Sequence, residues 1–203
     1  MRGAGTLLLL CVLATGCQFW GIPREHCSGA VAVTNAPRTL HVRVQLTHAG
    51  AYRRHEAVVQ VEAERIRVVG LTPMGTRAFG IEHAGERIEI ENRVGGFMGQ
   101  RPRLVYDAIA RAFLAPPAAD ATPTPLPHGG ERMGETSRHG EVAERRYLPL
   151  EGAGGAAIVV YEQGPGARAA RVTNTWCEYE ALVVVVSDET PPAAPPAAAR
   201  SQP

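Results

Sequence analysis

From Leu40 onward the chain alternates. Leu40, Val42, Val44 and Leu46 stand between His41, Arg43, Gln45 and Thr47, a period of two with one apolar and one polar face. That pattern predicts a half-buried strand. It returns at Val59, Val61 and Ala63 against Gln60, Glu62 and Glu64, and at Ile66 and Val68 between Arg65 and Arg67. Phe79 and Ile81 share the next face, and Ile88 and Ile90 alternate with Arg87, Glu89 and Glu91. The connections are short: His48-Ala49-Gly50-Ala51, Thr72-Pro73-Met74-Gly75 and His83-Ala84-Gly85-Glu86. Pro73 fixes φ and Gly75 relaxes it, which reads as a structural turn orienting the strands on either side. Five strands joined in this way form an antiparallel meander.

The pattern then changes. Residues 95–102 read as a flexible loop, after which Val105, Ile109, Ala112 and Phe113 recur at helical spacing with Leu104 beside them. A helix is expected from Arg103 to Leu114, stopped by Pro116-Pro117. Asp107 and Arg111 are spaced i,i+4 and are expected to point away from the core, where such a pair contributes a few tenths of a kcal/mol. Residues 116–141, rich in Pro, Ala, Thr and Gly, read as a flexible insertion. Strands resume at 157–161, 169–176 and 178–185, and the Pro/Ala-rich residues 189–203 read as a disordered tail. The expected class is mainly β: a curved antiparallel sheet of eight strands closing toward a barrel, which disposes of its edges, with one packed helix.

The N-terminus has a different character. Arg2 precedes an apolar run, Thr6 to Leu13, which is too short to span a bilayer. Ala14-Thr15-Gly16-Cys17 follows. A positive start, an apolar stretch and small residues before a cut make residues 1–16 a secretory signal peptide. The cysteine at the cut resembles the lipobox of bacterial lipoproteins, which implies lipidation of Cys17 and a lipidated tether and lead-in over 17–38; a plain secretory cut before Cys17 is the alternative. Several acyl chains on one residue would fix the product to a membrane, where a single chain binds only marginally. Gln18 stands where aspartate usually retains such proteins in the inner membrane. By that family rule the location is the cell outer membrane, with the domain facing the periplasm.

After Cys11 leaves with the signal and Cys17 takes lipid, Cys27 and Cys177 remain. In an oxidising compartment they are a disulfide candidate; closing a loop of ~150 residues would remove roughly 4–5 kcal/mol of unfolded-state entropy. Two unpaired thiols are the other reading. The formal net charge of +1 gives no argument for nucleic acid. The seven histidines show no HExxH and no paired ligand spacing, and no nucleophile–base set stands out. No catalytic residue, metal or cofactor is therefore expected, and the chain is taken as a monomer and not an enzyme.

The stretch from Val69 to Ile81, a strand, then Leu71-Thr72-Pro73-Met74-Gly75-Thr76-Arg77, then a strand, resembles an uncharacterised family of bacterial lipoproteins (domain of unknown function 3261). That family is related in fold to the outer-membrane lipoprotein receptor LolB. Thr173-Asn174 and Tyr179 resemble its final strand pair, and the resemblance covers roughly residues 39–187. It implies a LolB-like domain over 39–188, a half-open β-barrel around an apolar cavity. The implied partners are the membrane, through the N-terminal acyl chains, and a cargo that is a lipid, an acyl-type product or a lipoprotein.

The residues themselves leave two interiors open. Leu40, Val42, Val44, Val59, Val61, Val68, Phe79, Ile81, Ile88, Ile90 and Val183 would line an apolar cavity or fill an ordinary core equally well. Phe97 and Met98, two large apolar residues between Gly96 and Gly99, would touch lipid or membrane from a loop tip, or fold back as a lid. The two functions in view are therefore an acyl-binding carrier or receptor, and a structural or interaction lipoprotein of the envelope with a filled core.

Overall fold

The computed structural model describes residues 37–93, 101–115, 124–125, 131–149, 156–162 and 168–189. Five strands come first: β1 (Arg38–His48), β2 (Ala51–Val61), β3 (Arg65–Leu71), β4 (Arg77–Ala84) and β5 (Arg87–Asn92). Helix α1 (Pro102–Ile109) follows and runs on into a π-helical turn, Ala110–Leu114. Six strands complete the fold: β6 (Thr124–Pro125), β7 (Glu131–Arg138), β8 (Glu141–Pro149), β9 (Ala157–Tyr161), β10 (Ala169–Asn174) and β11 (Tyr179–Glu189). They form one sheet ordered β5-β4-β3-β2-β1-β11-β10-β9-β8-β7-β6. Each half is a meander, and the halves meet where β1 pairs antiparallel with β11.

That central pair joins two apolar rows. Val42 lies opposite Val185, Val44 opposite Val183 and Leu46 opposite Ala181. β2 extends the same face, since Leu40 pairs with Val59 and Val42 with Ala57, and β3 follows with Val68 opposite Val59. The polar positions of these strands, Arg43, Gln45, Glu56 and Arg67 among them, take the other face. Period two in the sequence thus becomes one buried and one wet side. At Gly70 a Cβ would come within 2.1 Å of the Phe79 ring, so the bare backbone of β3 makes room for that side chain on β4.

The expected closure toward a barrel does not occur. The sheet is open and not strongly curled, with β5 and β6 at opposite edges. Its edges are blunted by other means. β5 carries Arg87, Glu89 and Glu91 and is exposed along almost its whole length, and charges on an edge strand discourage further pairing. β6 has only two residues, and Pro125 has no N–H to offer a neighbouring chain.

Within the expected flexible insertion, residues 131–141 form paired strand and a tight turn instead. Glu131–Arg138 and Glu141–Pro149 pair as a hairpin, turning through His139 (φ 56°) and Gly140 (φ 83°), and β8 then pairs with β9. Their alternation was masked because two of the inward positions are charged: Glu131 and Arg145 are buried beside Met133 and Tyr147.

Candidate functional site

The buried side of the sheet faces α1. Leu40, Val42, Val44, Val59, Val61, Val68, Phe79, Ile81 and Val183 are all closed to solvent and belong to one cluster with Leu104, Val105 and Ile109 of the helix. Two of the inward candidates differ. Ile88 is only partly buried against this cluster, and Ile90 is 36% exposed, because β5 is an edge with a neighbour on one side only. Pro73 and Gly75 sit in the β3–β4 connection, where Gly75 (φ 77°) donates its N–H to the Thr72 carbonyl at 2.9 Å. Cys177 is buried and disulfide-bonded. Cys17, Cys27, Phe97 and Met98 lie outside the described residues.

Asp107 and Arg111 do not point away from the core. They are 0% and 2% exposed and form the centre of a polar cluster between helix and sheet. Arg111 Nε donates to both Asp107 oxygens at 3.1 Å. Its other nitrogens reach across to β7, Nη1 to Glu131 Oε2 at 2.9 Å and Nη2 to Glu131 Oε1 at 3.1 Å. Asp107 Oδ2 also accepts from the Tyr179 hydroxyl at 2.6 Å and from Asn174 Nδ2 at 3.0 Å. The guanidinium lies 4.7 Å from the Tyr147 ring centre and 5.9 Å from that of Trp176. Burial alone would favour a neutral Arg111, but Asp107 and Glu131 outweigh it and hold the pKa well above its usual value. Burial first, then Asp107, pushes the Tyr179 hydroxyl far up, so it stays a donor. Asn174 also organises the β10–β11 turn, its Oδ1 accepting from the backbone N–H of Trp176 and Cys177.

The end of the helix is held by side chains of the sheet. The last carbonyls of a helix have no partner within it. Here the Tyr147 hydroxyl donates to the Arg111 carbonyl at 2.8 Å and Tyr161 to that of Ala112 at 2.7 Å. Arg38 takes the Phe113 carbonyl, and Arg145 that of Ala115 at 3.2 Å. Burial raises the Tyr161 pKa to about 12, against the pull of Arg145. Strands β1, β8 and β9 therefore all anchor the π-helical turn.

Near the start of the helix the described residues make two polar ties, one from Arg101 to His48 of β1 and one through His83. Gly85 accepts from His83 Nε2 at 2.8 Å, which leaves Nδ1 to accept from the Tyr106 hydroxyl. The polar side of the sheet carries shallow grooves, one of about 440 Å³ edged by Arg43, Arg54, Glu56 and Thr72. Among the described residues no group of three or more His, Cys, Asp or Glu is placed to hold a metal ion. Sequence reasoning paired Asp107 with Arg111 by spacing. It missed Glu131, Arg145, Tyr147 and Tyr161, whose one visible signal is charge or hydroxyl at an inward strand position, and it placed Asn174 in the final strand pair without its role in the cluster.

Comparison with known proteins gives a family. The family described as "Protein of unknown function (DUF3261)" matches residues 39–183. No curated protein matches the chain. Among solved structures, it is similar to a LolA superfamily protein from Nitrosomonas europaea, at 7% identity and a TM-score of 0.47, covering 83% of this chain and 92% of that one. It is also similar to a putative outer membrane lipoprotein-sorting protein domain from Vibrio parahaemolyticus, at 8% identity and 0.47, covering 86% and 93%. A DUF1329 family protein from Desulfovibrio piger gives 8% identity and 0.47, covering 86% and 92%. The chain belongs to the DUF3261 family.

Proposed function

We propose that this member of the DUF3261 family is an outer-membrane-anchored periplasmic lipoprotein. Lipid on Cys17 tethers it, and it binds or receives a lipid, an acyl-type product or the acyl chains of a lipoprotein against the buried face of its sheet. The observation that carries the reading is the apolar row of β1 at the centre of the molecule. Leu40, Val42, Val44 and Leu46 run along one side of the strand with Val183 and Val185 beside them. Leu40 to Leu46 spans roughly 20 Å at strand rise, and one leaflet of a bilayer core, about half of ~30 Å, is a comparable length. A chain laid there would meet apolar side chains throughout, at about 0.8 kcal/mol per buried CH₂.

Such a cargo needs the helix to yield. Among the described residues the C-terminal half of the helix is fixed by the Asp107–Arg111–Glu131 cluster and by four side chains on its last carbonyls, and the N-terminal half by the ties of Tyr106 to His83 and of Arg101 to His48. Cargo therefore enters where α1 begins, with Phe97 and Met98 in the preceding sequence as candidate contacts. Cys27 is taken as the partner of Cys177. A kinship with LolB-type receptors belongs to the same proposal and rests on the sequence resemblance.

A second reading draws on the buried ion cluster itself. Ions held this firmly between helix and sheet suit a structural or interaction lipoprotein with a permanently filled core. Intact and native mass spectra of the envelope-extracted protein separate the two. The first reading expects acyl chains on Cys17, the loss of two hydrogens for the disulfide, and an additional non-covalent acyl species. A tethered protein that never carries the last of these would favour the second reading.

A further inference from the structure

The apolar row of β1 ends beside two cations. Arg53 lies opposite Leu46 in the β1–β2 register, so it stands on the buried side of the sheet, just past its last apolar position. The chain turns back here through Ala49 (φ 48°) and Gly50 (φ 72°). Arg101, at the head of α1, donates from Nη1 to His48 Nε2 at 3.2 Å. Leu46, His48, Ala49, Ala51, Arg53 and Arg101 together line a pocket of about 190 Å³.

The charges around it are unbalanced. Arg53 gives one N–H to the Tyr52 carbonyl at 2.9 Å. Among the described residues neither Arg53 nor Arg101 is paired with a carboxylate, in contrast to Arg111 between Asp107 and Glu131. Burial first, then Arg101, lowers the pKa of His48, which suits a neutral ring accepting the Arg101 N–H; Glu178 in the β10–β11 turn pulls the other way. The first turn of α1 holds no acidic residue, and its N-terminal N–H groups have no side-chain cap. Two guanidinium forks at the open end of an apolar row are a arrangement suited to an amphiphile, since arginine binds phosphate oxygens in bidentate fashion.

We infer that the pocket of Leu46, His48, Arg53 and Arg101 is a phosphate site, and that the phosphate it takes is the headgroup of an anionic lipid whose chain continues past Leu46 toward Val44 and Val42. This rests on the acyl-binding reading above and adds to it the polar end of the ligand and the direction in which the ligand lies.

The test is calorimetric. The purified full chain in dodecyl maltoside is titrated with dihexanoyl phosphatidylglycerol and, separately, with inorganic phosphate, each against a detergent blank. Arg53→Gln and Arg101→Gln probe the pocket, and both residues are exposed, so the fold should tolerate the changes. Arg171→Gln, on the outer face of β10, controls for general charge. The expected result is saturable binding of phosphatidylglycerol, tighter than phosphate, weakened about tenfold by either pocket variant and unchanged by Arg171→Gln. Equal binding of lipid and free phosphate, both lost in the pocket variants, would keep the anion site and remove the acyl-binding reading along with the lipid source. Lipid binding that survives both pocket variants, or that falls equally in Arg171→Gln, would overturn the phosphate site and leave acyl binding to be judged on the mass spectra.

Discussion

Arg111 is enclosed between two carboxylates and two aromatic rings, and every one of these partners comes from a different element. Removing one partner of a buried pair is strongly destabilising, typically ~3–5 kcal/mol, because the other charge stays behind unsolvated. Arg111→Met should therefore lower the unfolding free energy by about 3 kcal/mol, toward the low end because Tyr179 and Asn174 still donate to Asp107. Urea denaturation measures this directly; a loss under ~1 kcal/mol would mean the cluster does not hold the helix. The i,i+4 spacing told that Asp107 and Arg111 share a side of the helix. It could not tell which side turns inward, because the groups that satisfy them, Glu131, Asn174 and Tyr179, are 20 to 72 residues distant.

His55 is the other informative residue. It is buried on β2 with its ring edge-on to Phe79 at 6.4 Å, and its Nε2 has no hydrogen-bond partner among the described residues. Burial first, then Arg53, lowers its pKa below 6.5. The sign follows by linkage. As pH falls below 6.5 the unfolded chain binds a proton that the folded ring resists, so the native state loses stability. His48, also lowered, adds to this. The melting temperature should thus rise between pH 5 and pH 7, and His55→Leu should flatten that rise. An equal slope in the variant would assign the pH dependence to other groups.

At the scale of elements, the first meander was legible because apolar and polar residues alternate along much of it and three of its four turns carry glycine or proline, the β2–β3 turn Glu62-Ala63-Glu64 being the exception. β7 and β8 were not, since Glu131 and Arg145 occupy inward positions that read as solvent-facing in a linear pattern. The packing between strands is specific where side chains replace one another. Gly70→Ala would drive a methyl into the Phe79 ring, and overpacking of this kind typically costs about 1–3 kcal/mol. Adding Phe79→Leu should recover part of the loss, so the two changes together should cost less than the sum of each alone. Strictly additive losses in thermal or urea unfolding would show that β3 and β4 do not meet as described.

For the molecule as a whole, the sequence spoke to composition of the sheet more than to its closure. Alternation shows that a strand has a buried side, and it says nothing of whether the first and last strands of an eleven-stranded sheet meet. The charges of β5 and the brevity of β6 are what make an open sheet tolerable. Openness leaves the β1–β11 pair at the centre, with its apolar side against α1; under the proposed function the helix is then the element that admits or refuses cargo.

The most direct measurement is photolabelling of the full chain with an acyl lipid carrying a diazirine midway along its chain, followed by peptide mapping. The account predicts adducts on the buried row, at Val42, Val44 or Val183, and on the facing residues Leu104 and Val105. Adducts confined to the exposed apolar residues Tyr52, Met74, Val160 and Val186 would contradict it, since the lipid would then only touch the outside of a closed core.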